Sequence, residues 1–368
     1  MFATRAAVAV AGIFAAATFS PSISSADAPK PNKEMKEVLS ALEALGPKPI
    51  ETLAPGEARK QPTPADAVKS VLKTKGKSTD PEPVAKVEDR TIQGPAGEIP
   101  VRIYWPNGRR GEAMPVVHYI HGGGWVIADL DVYDASPRAI ANAANAIVVS
   151  SHYRQAPEHK FPAAHEDSFA AYQWVLANAE SLGGDPQAVA VMGESAGGNM
   201  AAAIGMMAKQ QNVQMPVHQV LVYPVANYAF DTASYQENAN AKPLGKAGMQ
   251  WFFKHYLRSE KDGENPLVSL LKAKDLSGLP PATVITAAID PLRSEGKAYA
   301  DKLKAAGVRV DYKNYDGVAH EFFGMGAVVP VAKQAVKQAA GGLGRSVQSI
   351  ARGGEGRQRP SSAGASTK

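Results

Sequence analysis

An α/β fold is predicted by three observations on this 368-residue chain. Short apolar, partly β-branched runs at 115–120, 188–192, 220–223 and 282–289 have the length and composition of strands buried in a parallel sheet. Helix-like stretches, such as 199–204 and the amphipathic 251–257, lie between them. Two of the runs end directly in glycine-rich turns, His121-Gly122-Gly123-Gly124-Trp125 and Gly193-Glu194-Ser195-Ala196-Gly197-Gly198. The length suits one large domain with a small accessory element, and no internal repeat is evident.

From the N-terminus, Arg5 precedes an apolar run at 6–19, and small residues follow at 24–28. This is the pattern of a signal peptide over 1–26, cleaved after Ala26; the apolar run is short for a membrane span. Export to a bacterial periplasm or beyond is therefore expected, with no stable membrane insertion after cleavage. Met35, Val38, Leu39, Leu42 and Leu45 recur at helical spacing and predict a first helix. The chain has no cysteine, which excludes disulfides and thiolate metal sites.

The net charge of +5 is mostly terminal. Residues 341–368 carry +4 and Arg5 carries +1, so the body from 27 to 340 is neutral. A neutral body argues against nucleic-acid binding by the fold. The last helix is expected over 330–340, followed by a basic, disordered tail over 341–368.

The first glycine turn follows a strand-like run. Three consecutive glycines build no core and cost backbone entropy, so they suit a loop whose N–H groups approach a ligand. The second turn has the form G-x-S-x-G between a strand and a helix. It forces Ser195 into a strained conformation with its hydroxyl clear of the sheet and the helix N-terminus beneath it. The N–H groups of Gly122, Gly123 and Ala196 are then candidate oxyanion donors. Together these point to acyl transfer through a serine nucleophile.

Such a serine needs a base, and the base needs an orienting carboxylate, in the chain order Ser, acid, His. Of eight histidines, only His218, His255 and His320 follow Ser195. His218 leads into a strand and His255 lies in an amphipathic helix. His320 sits in a loop just after the strand-like 308–312, where such a base belongs. The 282–289 strand ends at Asp290, and Pro291 stops the ladder, so Asp290 takes the acid role. Asp311 falls inside a strand pattern, and Asp316 reads as a turn residue. No metal site is read: His165-Glu166-Asp167-Ser168-Phe169 misses the zinc pattern H-E-x-x-H at its last position.

These residues resemble the bacterial hormone-sensitive-lipase-like esterases, a branch of the α/β-hydrolases. His121–Gly124 and Gly193–Gly197 match that family's two glycine motifs. The segment Tyr153-Arg154-Gln155-Ala156-Pro157-Glu158 with Phe161-Pro162-Ala163-Ala164 resembles its YRLAPExxFPAA stretch, and Asp290-Pro291-Leu292-Arg293-Ser294-Glu295-Gly296 its DPLRDEG stretch. The similarity runs over about 31–340. It implies an eight-stranded, mostly parallel sheet flanked by helices, with a catalytic domain over 91–340. A small helical cap would come from 27–90 and from an insertion at about 226–260. It also implies hydrolysis of short- to medium-chain acyl esters, no cofactor, and a small-molecule ester as partner, with a homodimer left open. An amide, lactone or carbamate as the bond cleaved also stays open. The chain departs from the family at Gln155, where Leu is common, at Glu194, where many members have Asp or Thr, at Ser269-Leu270-Leu271, where Ser-Pro-Leu is usual, and at Glu321, where Gly often follows the histidine. Glu194 and Glu321 place extra carboxylates near the site and would disfavour anionic substrates.

Overall fold

The computed structural model describes residues 29–108 and 113–355, together with Met1. The rest of the signal-peptide segment and the chain beyond 355 lie outside the described residues. Eight strands form one sheet in the order β1-β2-β4-β3-β5-β6-β7-β8. The hairpin β1 (Lys86–Gly94) and β2 (Gly97–Trp105) is antiparallel, and β2 pairs antiparallel with β4 (Ile147–Ser151). From β4 through β3 (Met114–Ile120), β5 (Gly184–Glu194), β6 (Gln219–Val222), β7 (Ala282–Ile289) and β8 (Val310–Ala319) every pairing is parallel. This is the eight-stranded, mostly parallel α/β sheet expected from the sequence.

The central strands are largely apolar and almost wholly buried because helices cover both faces. Val116 and Ile120 of β3 enter one core, and Val117 and Tyr119 enter the other, as the two-residue period of a strand requires. The first core holds α5 (Ala163–Asn178), α6 (Ala196–Gln211) and α10 (Arg293–Ala305). The second holds α4 (Ala135–Ala144) and α11 (Pro330–Glu355), joined by the N-terminal helices α1 (Lys33–Ala44) and α3 (Pro64–Thr74). Asn32 caps α1 through the Met35 N–H at 2.8 Å, and Thr63 with Asp66 forms a capping box on α3. The apolar stripe predicted on the first helix is the one buried, with Met35, Val38 and Leu42 inside.

Two segments converge over the C-terminal end of the sheet. The short helix α2 (Pro55–Ala58) belongs to the N-terminal segment. The insertion after β6 holds α7 (Ala233–Glu237), α8 (Lys246–Tyr256) and α9 (Glu260–Gly263). Trp251 of α8 donates its indole N–H to the Leu53 carbonyl at 3.1 Å, tying the insertion to the N-terminal segment.

Three boundaries differ from the sequence reading. The 90/91 boundary falls inside β1, which is an edge strand with few buried residues and so a weak apolar signal. Asp316 lies within β8 rather than in a turn, and His320 follows that strand directly. The last helix does not stop at Ala340 but continues to Glu355, so residues 341–355 are helical rather than a disordered tail. Gly341 and Gly342 read locally as helix breakers. A Cβ on Gly342 would lie 2.1 Å from Thr283 Oγ1, so glycine is what lets the helix pass this close to the sheet. Leu343 and Ser346 are buried beyond it, and Ser346 Oγ lies 2.9 Å from Nδ1 of the buried His218.

Candidate active site

Ser195 stands between β5 and α6 with φ 58° and ψ −119°, a conformation that L-residues rarely hold. The turn is held by backbone bonds: Ser195 N–H to the Val222 carbonyl (2.9 Å), and Asn199 and Val225 N–H to the Ser195 carbonyl (3.0 and 3.2 Å). The flanking glycines are steric necessities. A Cβ on Gly193 would meet the Gly197 carbonyl oxygen at 2.1 Å, and one on Gly197 would meet the Ile120 carbonyl oxygen at 2.0 Å.

Asp290 follows β7 and His320 follows β8, so parallel pairing of β5 through β8 delivers all three side chains to one end of the sheet. His320 Nε2 lies 2.9 Å from Ser195 Oγ, and His320 Nδ1 lies 2.7 Å from Asp290 Oδ2. Asp290 Oδ1 accepts the Leu292 N–H at 2.8 Å, which orients the carboxylate. All three residues are buried. Burial alone would lower the His320 pKa, but the Asp290 carboxylate overcomes it, with Glu321 and Glu194 adding to the pull, and holds the imidazole above its ordinary value. His218 and His255, the other histidines downstream of the serine, are elsewhere. His218 bridges Ser346 and Thr283 in the core, and His255 packs edge-on against Trp251 of α8.

The glycine loop lies across from Ser195. Among the described residues, the N–H groups of Gly122, Gly123 and Ala196 have no protein acceptor, so they are free to meet a ligand. The loop is held from every side. His121 Nδ1 lies 2.8 Å from the Gly122 carbonyl, and its Nε2 lies 2.9 Å from His152 Nδ1. Burial, with His152 adding to it, pushes the His121 pKa down to about 3, so the ring is neutral. Tyr153 donates its hydroxyl to the Gly122 carbonyl at 2.8 Å. Gln155 donates to the carbonyls of Ile127 and Ala128, both at 2.8 Å, a clamp that the common Leu could not make. From above, Trp125 stacks on Tyr256 of α8 with centroids 4.2 Å apart. A Cβ on Gly124 would lie 2.2 Å from the Phe252 ring, so α8 rests directly on this loop.

Several contributors carried no sequence signal of the task they perform. Ser234 of α7 donates to the Pro291 carbonyl at 2.6 Å, and Asn238 donates to the Asp290 carbonyl at 3.4 Å, so the insertion braces the acid's turn. Glu295, in the Asp290–Gly296 stretch, accepts the Ala226 and Asn227 N–H groups at 2.7 and 3.3 Å and so anchors the start of that insertion. Tyr119, Tyr133 and Tyr223 hold the two extra carboxylates. A polar cavity of about 340 Å³ near His152 and Arg154 holds no serine nucleophile, and its arginines are spent on acids: Arg59 on Glu158 and Arg154 on Asp167.

Glu194 and Glu321, grouped together by the sequence reading, occupy different environments. Glu194 is buried and accepts hydrogen bonds from Tyr119 (2.6 Å) and Tyr223. Burial, reinforced by Glu321, pushes its pKa up to about 7. A carboxyl raised from 4.5 to about 7 by folding costs nothing below pH 4.5, and its penalty grows until pH passes 7. Glu194→Gln is therefore expected to gain on wild type by up to about 3 kcal/mol between pH 5 and pH 8. Urea unfolding at the two pH values reads this directly, and an unchanged gap would contradict it.

The family profile for the alpha/beta hydrolase fold matches residues 117–324. Among curated proteins, the chain is 42% identical over 276 residues to carboxylesterase NlhH of Mycobacterium tuberculosis, covering 73% of this chain and 86% of that protein. It is 33% identical over 288 residues to an ethyl acetate hydrolase of Pseudomonas putida, covering 78% and 88%. Among solved structures, a hyperthermophilic esterase from the archaeon Pyrobaculum calidifontis superposes with a TM-score of 0.78 at 37% identity, covering 86% of this chain and 99% of that one.

Proposed function

The chain belongs to the hormone-sensitive-lipase-like branch of the α/β-hydrolase fold family, and on that premise we propose that it is a serine carboxylesterase acting on short- to medium-chain acyl esters. The observation that carries the reading is the unbroken chain from Asp290 through His320 to Ser195, at 2.7 and 2.9 Å, beside a glycine loop whose Gly122 and Gly123 N–H groups have no protein acceptor among the described residues. The ethyl acetate hydrolase relative supports small acyl and alcohol groups.

In this reading His320 Nε2 takes the Ser195 proton as Oγ attacks the ester carbonyl. The N–H groups of Gly122, Gly123 and Ala196 stabilise the oxyanion, and His320 protonates the leaving alcohol. Water, deprotonated by His320, then releases the acid from the acyl-enzyme. The Asp290 carboxylate fixes the histidine tautomer and stabilises the imidazolium.

Hydrolysis of p-nitrophenyl esters from acetate to palmitate tests the proposal. Turnover is expected to peak at short acyl chains. The base works only when neutral, and its pKa is raised, so kcat/KM should fall as pH drops through a value above the ordinary histidine 6.5. No turnover of any ester by the folded protein would defeat the reading.

We further propose export to the periplasm or medium. Support comes from the charge and hydropathy pattern of residues 1–26; among the described residues, no helix is long and apolar enough to cross a membrane. N-terminal sequencing of protein from a periplasmic fraction, beginning at Asp27, would bear this out; an intact Met1 in the cytoplasmic fraction would not. The neutral body supports a small-molecule partner over nucleic acid. Sedimentation analysis would read the homodimer.

A further inference from the structure

Three carboxylates surround the histidine, and they differ in access. The Asp290 side chain is fully buried and engaged at Nδ1, and Glu194 is buried behind two tyrosines. Glu321 alone keeps its side chain 20% exposed, with Oε1 3.7 Å from His320 Nε2. That nitrogen is the one facing the reaction. Glu321 is held there by two features. Its backbone is left-handed, with φ 72°, a conformation that favours glycine, and its Oε1 accepts the Tyr133 hydroxyl at 2.5 Å. Tyr133 itself lies against the glycine loop, since a Cβ on Gly122 would sit 2.2 Å from its hydroxyl.

Among the described residues, no Lys or Arg forms an ion pair with Asp290, Glu194 or Glu321. Of the groups packed around His320, Tyr223 presents its ring at 4.5 Å and spends its hydroxyl on Glu194, and Tyr119 likewise serves Glu194. Tyr133 is committed to Glu321. Glu321, when ionised, therefore stands as a partly exposed carboxylate beside the reacting nitrogen.

Resting on the esterase reading above, the geometry points to Glu321 as a specificity residue that selects the leaving group by charge, favouring esters of cationic amino alcohols over neutral ones and disfavouring anionic ones. The leaving oxygen must come within about 3 Å of Nε2 to receive its proton, which places it within about 7 Å of the Glu321 carboxylate. An ammonium two carbons beyond that oxygen stays in range of the charge, in a site that excludes much of the solvent. Burial raises the Glu321 pKa above the ordinary carboxylate value, so the effect strengthens as pH rises.

The test compares acetylcholine, its uncharged isostere 3,3-dimethylbutyl acetate, and 4-acetoxybutyrate at pH 8 and low salt, in wild type and Glu321→Gln. Wild type should prefer the cationic over the neutral ester about tenfold in kcat/KM, and the anionic ester should be slowest. In Glu321→Gln the cation-to-neutral ratio should fall to near one. The Tyr133 bond and the left-handed backbone can both persist there, since glutamine offers the same acceptor. A wild-type ratio near one, or a ratio unchanged in Glu321→Gln, would overturn the inference. Should the variant fail to fold, the wild-type order and its compression at 0.5 M salt decide the matter alone. Hydrolysis of p-nitrophenyl acetate runs as control: its absence would remove the esterase reading and the inference with it.

Discussion

Ser195→Ala should lower kcat for p-nitrophenyl acetate by about 10⁵-fold while leaving the fold intact. The size follows from the role: Oγ is the atom that forms the acyl-enzyme, and nothing else near His320 Nε2 can replace it. Loss of the nucleophile in a serine hydrolase costs on the order of 10⁶ in kcat, with residual catalysis from the oxyanion donors and binding. The fold should tolerate the change because the turn is held by backbone bonds to Val222, Asn199 and Val225, none of which uses the hydroxyl. Alanine also meets the same left-handed strain as serine, with no added penalty. Wild-type thermal stability combined with lost turnover is the expected outcome. Activity above a few per cent of wild type would mean that another group attacks the ester.

Asp290→Asn should cost about 10⁴ in kcat/KM through the proton rather than through position. The structure dictates how the amide would sit. The Leu292 N–H donates to Asp290 Oδ1 at 2.8 Å, and an asparagine would keep its carbonyl oxygen there. Its NH₂ group would then face His320 Nδ1, where the carboxylate now accepts. The ring would have to take up the other tautomer, with its proton on Nε2, pointing at Ser195 Oγ. A protonated Nε2 cannot accept the serine proton. The imidazolium would also lose its buried counter-charge, so the His320 pKa should fall and the acid limb of the residual activity should move to lower pH. Thermal unfolding separates this from structural damage. A loss below tenfold would show that Asp290 only supports its turn, a task that Ser234 and Asn238 already share.

Much of this site was legible in the sequence because its chemistry is tied to local backbone geometry. The close approach of strand and helix at Gly193 and Gly197 leaves room only for glycine, and that requirement is visible in a window of six residues. Asp290 was legible for a related reason: the apolar run of β7 and the following proline mark where a strand must end. His320 was reached by elimination along the chain, and Gln155 and Glu295 stood out only as members of longer motifs without a visible task.

Tertiary structure decided what depends on partners distant in the chain. Glu194 and Glu321 looked equivalent as two carboxylates beside catalytic residues. One is withdrawn into tyrosines 75 and 29 positions away, while the other is held by Tyr133, 188 positions away, and keeps its carboxylate at the mouth. The two glycines at 341 and 342 looked like the end of a helix, yet the sheet beneath Gly342 demands a backbone without Cβ there, and the helix runs on to Glu355. The sequence by itself determined the fold class, the strand-end positions of the triad residues and the glycine turns, because period and steric fit act over a few neighbouring residues. The burial of each carboxylate, the clamp on the glycine loop and the seat of α8 upon it were decided only by folding, because a side chain's dielectric surroundings are set by whatever the fold packs against it.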